Sequence, residues 1–130
     1  TGAAVSTDAS YANLDPADVS VTHLDNETAG FTVTPTSGLE TTEAGGTATF
    51  TVVLTSQPTA DVTITLTSSD LSEGAVAPSQ LTFTILNWNA PQTVTVTGAN
   101  DPTTDGNQPY MITTGAAVST DASYAGVDPE

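Results

Sequence analysis

The sequence contains no lysine, no arginine and no cysteine. His23 is the only basic side chain against fifteen carboxylates, for a formal charge of −15. Nucleic-acid backbones and anionic membrane surfaces are held by cationic side chains, so this composition argues against both as partners. The lack of cysteine removes disulfides and thiolate metal sites. The lack of lysine removes Lys–Asn isopeptide cross-links. No apolar run approaches the roughly 20 residues of a membrane helix, which argues against membrane insertion. No secretory leader is visible and the chain begins in mid-pattern, so it is expected to be an excerpt of something longer. Aromatics are also scarce, with three Phe, three Tyr and one Trp, so any core has to be mainly aliphatic. Threonine is abundant instead, at 27 positions. Its β-branched side chain, like that of valine, suits strands.

The two ends of the chain match. Thr1 through Ala12 reappears unchanged as Thr114 through Ala125, and Asp15-Pro16 reappears as Asp128-Pro129. Fourteen of seventeen aligned positions are identical at a constant offset of 113. A period of that length is too long for a solenoid coil and right for a whole domain, so the expected object is one bead of a tandem array. The phase gives three expected segments. Residues 1–24 form the C-terminal portion of the preceding repeat, with a last strand near 18–24. Residues 25–29 form an inter-repeat linker. Residues 30–130 form a β-sandwich repeat without its own last strand. Open sheet edges recruit strands, so neighbouring copies of the repeat are expected to join covalently or by strand donation.

Apolar residues alternate with threonine along several runs, the mark of strands buried on one face. The runs are Phe31/Val33, Phe50/Val52/Leu54, Val62/Ile64/Leu66, Leu81/Phe83/Ile85, Val94/Val96 and Tyr110/Ile112, with Val19/Val21 in the neighbouring bead. Gly- and Pro-containing turns separate them, among them Gly45-Gly46, Gln57-Pro58 and Ala90-Pro91. No stretch carries a helical period. Seven strands in about 110 residues predict an all-β, seven-stranded antiparallel sandwich of the immunoglobulin-like kind.

Residues 40–114 resemble the Calx-beta family, found in sodium–calcium exchangers and in bacterial surface proteins. Glu43-Ala-Gly-Gly-Thr-Ala-Thr-Phe-Thr-Val-Val-Leu54 is similar to that family's acidic opening and second strand. Ser69-Asp70 is similar to the acidic end of its third strand. Val94 through Asp101 is similar to a strand ending in acids, and Asp105-Gly-Asn-Gln-Pro-Tyr110 to the acidic turn after it. Asp25-Asn26-Glu27 stands where the family has a terminal acidic triplet. The chain departs from the family at that triplet, at Asn100-Asp101 and at the Trp-containing hairpin Asn87–Pro91. The resemblance implies a calcium-binding sandwich.

If successive strands alternate in direction, the acids sort onto one pole. Glu40 and Glu43 precede one strand, Asp70 and Glu73 follow the next, and Asp101 and Asp105 follow another, with Asn107 beside them. The linker equivalent to Asp25, Asn26 and Glu27 leaves from the same end. Each carboxylate pair at about 5 Å costs about 1 kcal/mol in water, and more when partly buried. Nothing cationic in the chain offsets this, whereas Ca²⁺ prefers such oxygen donors. Two readings stay open on the residues alone: a calcium clamp, or solvated surface charge in a protein from a salty habitat.

Other candidates are weaker. His23 is expected to be a surface or packing residue, because a lone His with no Cys builds no zinc site without carboxylates. Paired carboxylates for glycoside hydrolysis need an acid in an apolar cleft, and none here has that setting. No catalytic constellation is visible, so the chain is not expected to be an enzyme. Tyr11 and Tyr124 occupy equivalent repeat positions and are expected to be structural. Trp88 has two readings: a cover for the core, or a contact for glycans or proteins. The expectation is therefore an extracellular, cell-surface spacer repeat of an adhesin or filament with calcium at its junctions. The alternative is a glycan- or protein-binding module using loops around Trp88.

Overall fold

The computed structural model describes residues 1–24 and 27–129. Eight short strands and no helix occur among them. They are β1 (Phe31–Thr34), β2 (Thr47–Leu54), β3 (Val62–Ser68), β4 (Gly74–Ala77), β5 (Gln80–Phe83), β6 (Gln92–Gly98), β7 (Ile112–Thr114) and β8 (Val118–Ser119). One sheet has the order β1-β2-β6-β4 and the other β5-β3-β7, with β8 also on β3. Every pairing is antiparallel. The protein is thus all-β, two antiparallel sheets sharing one core in a sandwich-like arrangement.

The alternation read from the sequence sets the burial. Val52, Val62, Ile64, Phe83 and Val94 are fully buried, with Phe50, Leu54, Leu66, Leu81 and Val96 around them. The intervening threonines face outward, where Thr63 and Thr82 meet across β3 and β5 with hydroxyls 3.3 Å apart. A one-residue slip would turn each of these strands inside out.

Several boundaries differ from the expectation. The run at Leu81 and Phe83 stops before Ile85, which is half exposed. The Thr84 N–H donates to Asn87 Oδ1 at 2.6 Å, and the Thr84 hydroxyl accepts from the N–H groups of Leu86 and Asn87. Local side-chain bonds of this kind end a ladder. The adjoining Trp88 turn is not a hairpin, because it joins β5 in one sheet to β6 in the other. The strand Gly74–Ala77 has too few large apolar residues to show in the pattern. Eight short strands stand in place of seven. Asp18–Leu24 pairs with no strand here, and Val19 and Val21 are 79% and 85% exposed.

Candidate functional site

The strand directions fix the two ends of the sandwich. β2 begins, β3 ends, β4 begins and β6 ends at one pole, as the register Gly74↔Gly98 and Thr47↔Thr97 shows. Glu40, Glu43, Asp70, Glu73, Asp101 and Asp105 all belong to the connections at that pole.

Tight backbone turns place the central acids. Thr42 O accepts the N–H groups of Gly45 and Gly46, and Gly98 N–H donates to Gly46 O at 3.0 Å. This lays the Glu43 turn over the end of β6. Gly98 is needed for that close approach, since a Cβ there would collide with the Thr42 backbone. Ala99 N–H donates to Glu73 O at 2.9 Å, which ties the next acidic loop to the same strand end. Tyr110 lies against Gly74, and its hydroxyl is 2.5 Å from that of Thr41. The pole is therefore knitted by backbone and by one tyrosine, without any cation of the chain.

Within this frame Glu43, Asp101 and Asp105 each bring one carboxylate oxygen within 4.8 Å of the other two. Asp101 is half buried, and the other two are exposed. Glu73 stands beside them. Its pKa is raised by burial first, then by the charges of Asp105, Asp101, Asp70 and Glu43. Asp70 is turned to another task. Its Oδ1 accepts from Ser72 N–H at 2.9 Å and from the Ser72 hydroxyl at 2.5 Å, and these bonds hold its pKa below the ordinary carboxylate value. Glu40 sits at this pole but outside the group of three, and Asn107 lies in the same β6–β7 connection as Asp101 and Asp105. Asp25 and Asn26 lie outside the described residues. Glu27 is at the opposite end, in a depression shared with Trp88, Ser56 and Asp121.

That opposite end carries a second arrangement, which the sequence announced only as a repeat. Residues 114–129 form a loop, here termed the clasp, with its ends drawn together. Ala117 N–H donates to Val127 O at 2.7 Å, Gly126 N–H to Ala117 O at 2.8 Å, and the Thr114 hydroxyl to Pro129 O. Asp121 Oδ1 accepts from Ser123 N–H within the loop, while Oδ2 reaches out to Thr59 N–H at 2.9 Å. Those bonds hold the Asp121 pKa below its ordinary value. Tyr124, 1% exposed, accepts from Ser56 N–H at 3.1 Å and donates to Ser56 O at 2.6 Å. Its ring meets Phe31 edge-on at 5.9 Å.

Residues 1–16 repeat the loop's internal bonds without the docking. Ala4 N–H donates to Leu14 O at 2.7 Å, Asn13 N–H to Ala4 O at 2.9 Å, and the Thr1 hydroxyl to Pro16 O at 2.7 Å. Asp8 Oδ1 accepts from Ser10 N–H as Asp121 does from Ser123. Tyr11, however, is 61% exposed.

Trp88 is half buried and packs against the core, and its carbonyl accepts Leu54 N–H at 3.2 Å. Comparison with family models, curated proteins and solved structures returned no match.

Proposed function

We propose that the chain is a structural spacer repeat of an extracellular adhesin or surface filament, an immunoglobulin-like sandwich of the Calx-beta kind that calcium stiffens at each junction. The observation that carries this reading is the acidic pole. Three carboxylate oxygens within 4.8 Å of one another fit around one ion whose ligands stand at about 2.4 Å, as for Ca²⁺. Glu73 at their flank is charge-stressed, and the chain offers no Lys or Arg to relieve it. In this reading Glu43, Asp101 and Asp105 hold the ion, with Glu73 adding charge.

The geometry of succession supports a junction role. β7 and β8 run away from the acidic pole. A strand returning beside them leads the chain back to that pole, where the next repeat begins. The residues equivalent to Asp25, Asn26 and Glu27 then lie between the acidic pole of one bead and the Trp88 end of the next. Partners on this reading are neighbouring copies of the same repeat. The place of Trp88 against the core supports a spacer over a binding module built around it.

Thermal unfolding of the protein in 10 mM calcium and in chelator tests this. Sites of extracellular affinity, about 10⁻⁴–10⁻³ M, stabilise by about 1–3 kcal/mol at that concentration. That corresponds to a rise of roughly 5–15 °C for a domain near 100 residues. A shift of one or two degrees removes calcium from the account.

A further inference from the structure

We propose that Asp105-Gly106 is a site of spontaneous covalent modification, where the glycine nitrogen closes on the aspartate side chain and converts Asp105 to isoaspartate. The step needs no metal and goes beyond the spacer reading.

Asp105 is the only aspartate in the sequence that glycine follows, and no asparagine precedes a glycine. The reaction asks two things of the fold: a carboxyl that nothing holds, and a following amide nitrogen that nothing covers. Asp105 and Gly106 are exposed in the irregular connection between β6 and β7. Among the described residues the Asp105 carboxylate accepts no hydrogen bond and the Gly106 N–H donates none. A Cβ at Gly106 would meet nothing within 4 Å, so the space around the residue is open. Gln108 Nε2 donates to Asp105 O at 2.7 Å, which draws electron density from the Gly106 nitrogen and loosens its proton. Gly106 has φ 71°, and without a Cβ it holds that shape unstrained while leaving the nitrogen uncrowded.

The other described aspartates are guarded. Asp8, Asp70, Asp101 and Asp121 each accept the N–H two residues on, which turns the carboxylate past the adjacent nitrogen. Pro16, Pro102 and Pro129 follow Asp15, Asp101 and Asp128 and have no N–H to lose. Asp18 and Asp61 precede valine, whose branched Cβ crowds the nitrogen.

In the first step Gly106 N attacks Asp105 Cγ. The N–Cγ bond forms, a Cγ–Oδ bond breaks, and the oxygen leaves with the amide proton as hydroxide, which closes a succinimide. Hydroxide then opens the ring. Opening at Cγ restores Asp105. Opening at the Asp105 main-chain carbonyl routes the chain through Cβ and Cγ and leaves the carboxylate on Cα. No atom is gained or lost overall, and no oxidant or co-reactant is consumed. The isomer lengthens the main chain by one carbon and shortens the reach of the carboxylate, so one of the three clustered oxygens withdraws from Glu43 and Asp101.

The test is warm incubation of the whole chain at neutral pH in chelator, which keeps the result apart from the calcium reading. An isoaspartyl O-methyltransferase with labelled S-adenosylmethionine reports the isomer. The expected result is label that climbs with time in the wild type and stays at background in Asp105→Glu, which keeps the charge but disfavours ring closure. Cleavage before aspartate locates the site, since isoaspartate resists it and peptides 101–104 and 105–120 stay joined. The rate in the folded chain is expected within a few-fold of that in a peptide of residues 101–110, because the fold leaves the pair open. Equal labelling of wild type and Asp105→Glu, complete cleavage before Asp105, or a folded-chain rate many-fold below the peptide's overturns the assignment.

Discussion

Tyr11 and Tyr124 sit in identical twelve-residue segments, so the same change at each position isolates what docking contributes. Tyr124→Phe keeps the ring, its edge contact with Phe31 and its burial. It removes the hydroxyl that serves the N–H and C=O of Ser56. Two backbone hydrogen bonds at about 0.5–1.5 kcal/mol each set the expected loss at about 1–3 kcal/mol. The half-buried position of Ser56 favours the upper part of that range, because its orphaned groups reach water poorly. For a domain of this size the melting temperature falls by roughly 5–15 °C. Tyr11→Phe alters an exposed ring and is expected to stay within about 0.5 kcal/mol of the parent. Urea unfolding measures both, with an unchanged m-value as the sign that only stability moved. Equal shifts for the two variants, or a Tyr124→Phe loss under about 0.5 kcal/mol, would refute the clasp as the closure of the sandwich.

Two further outcomes concern the carboxylates. Asp121 is held below the ordinary carboxylate range, first by Thr59 N–H and then by Ser123 N–H. Its stabilisation is therefore complete above the ordinary Asp value of about 3.9 and is lost as pH falls through its lower folded value. Asp121→Asn should lower stability at neutral pH and flatten this acid limb of a urea-midpoint profile, and an unaltered limb would count against the assignment. Glu73 has the opposite sign. Its folded pKa is raised, so the ionised form costs stability above that value, and the cost is relieved as pH falls through it. Glu73→Gln should raise the melting temperature in chelator at neutral pH, with the gain shrinking on acidification. A lowered midpoint in chelator would show that Glu73 serves as an acceptor rather than as a stressed charge.

The strands that carry the core were legible because Val62/Ile64/Leu66 and Phe50/Val52/Leu54 repeat at period two with threonine or valine between, and every member of both sets is buried. Gly74–Ala77 was not legible. Its pairing with β6 rests on a bare backbone at Gly74, where Tyr110 occupies the space of a side chain, and small residues leave no periodic mark. Ile85 continued the alternation on paper, but the Asn87 side chain captured the Thr84 N–H and closed a turn instead. The gathering of Glu43, Asp101 and Asp105 came from strand direction alone. The diversion of Asp70 to Ser72 did not, because an Asp two residues before a Ser reads equally as a turn or as a ligand.

The differences between the two loop copies show where the conformation is encoded. Gly126 has φ 79° and its counterpart Asn13 has φ 64°. Both lie in the left-handed region, which Gly and Asn enter at lower cost than other residues. Leu14 and Val127 exchange one apolar side chain for another beneath the same pair of hydrogen bonds to Ala4 and Ala117. Residues 1–16 hold this shape although Tyr11 has no slot to fill. Local bonds therefore set the loop, and docking only receives it. A pre-shaped element loses little conformational freedom on docking. The loop thus closes the sandwich as a pre-shaped element. Undocking should accordingly show first as faster amide exchange at Ser56, whose N–H Tyr124 accepts, while the Ala117 and Gly126 amides keep the protection of the loop's own bonds.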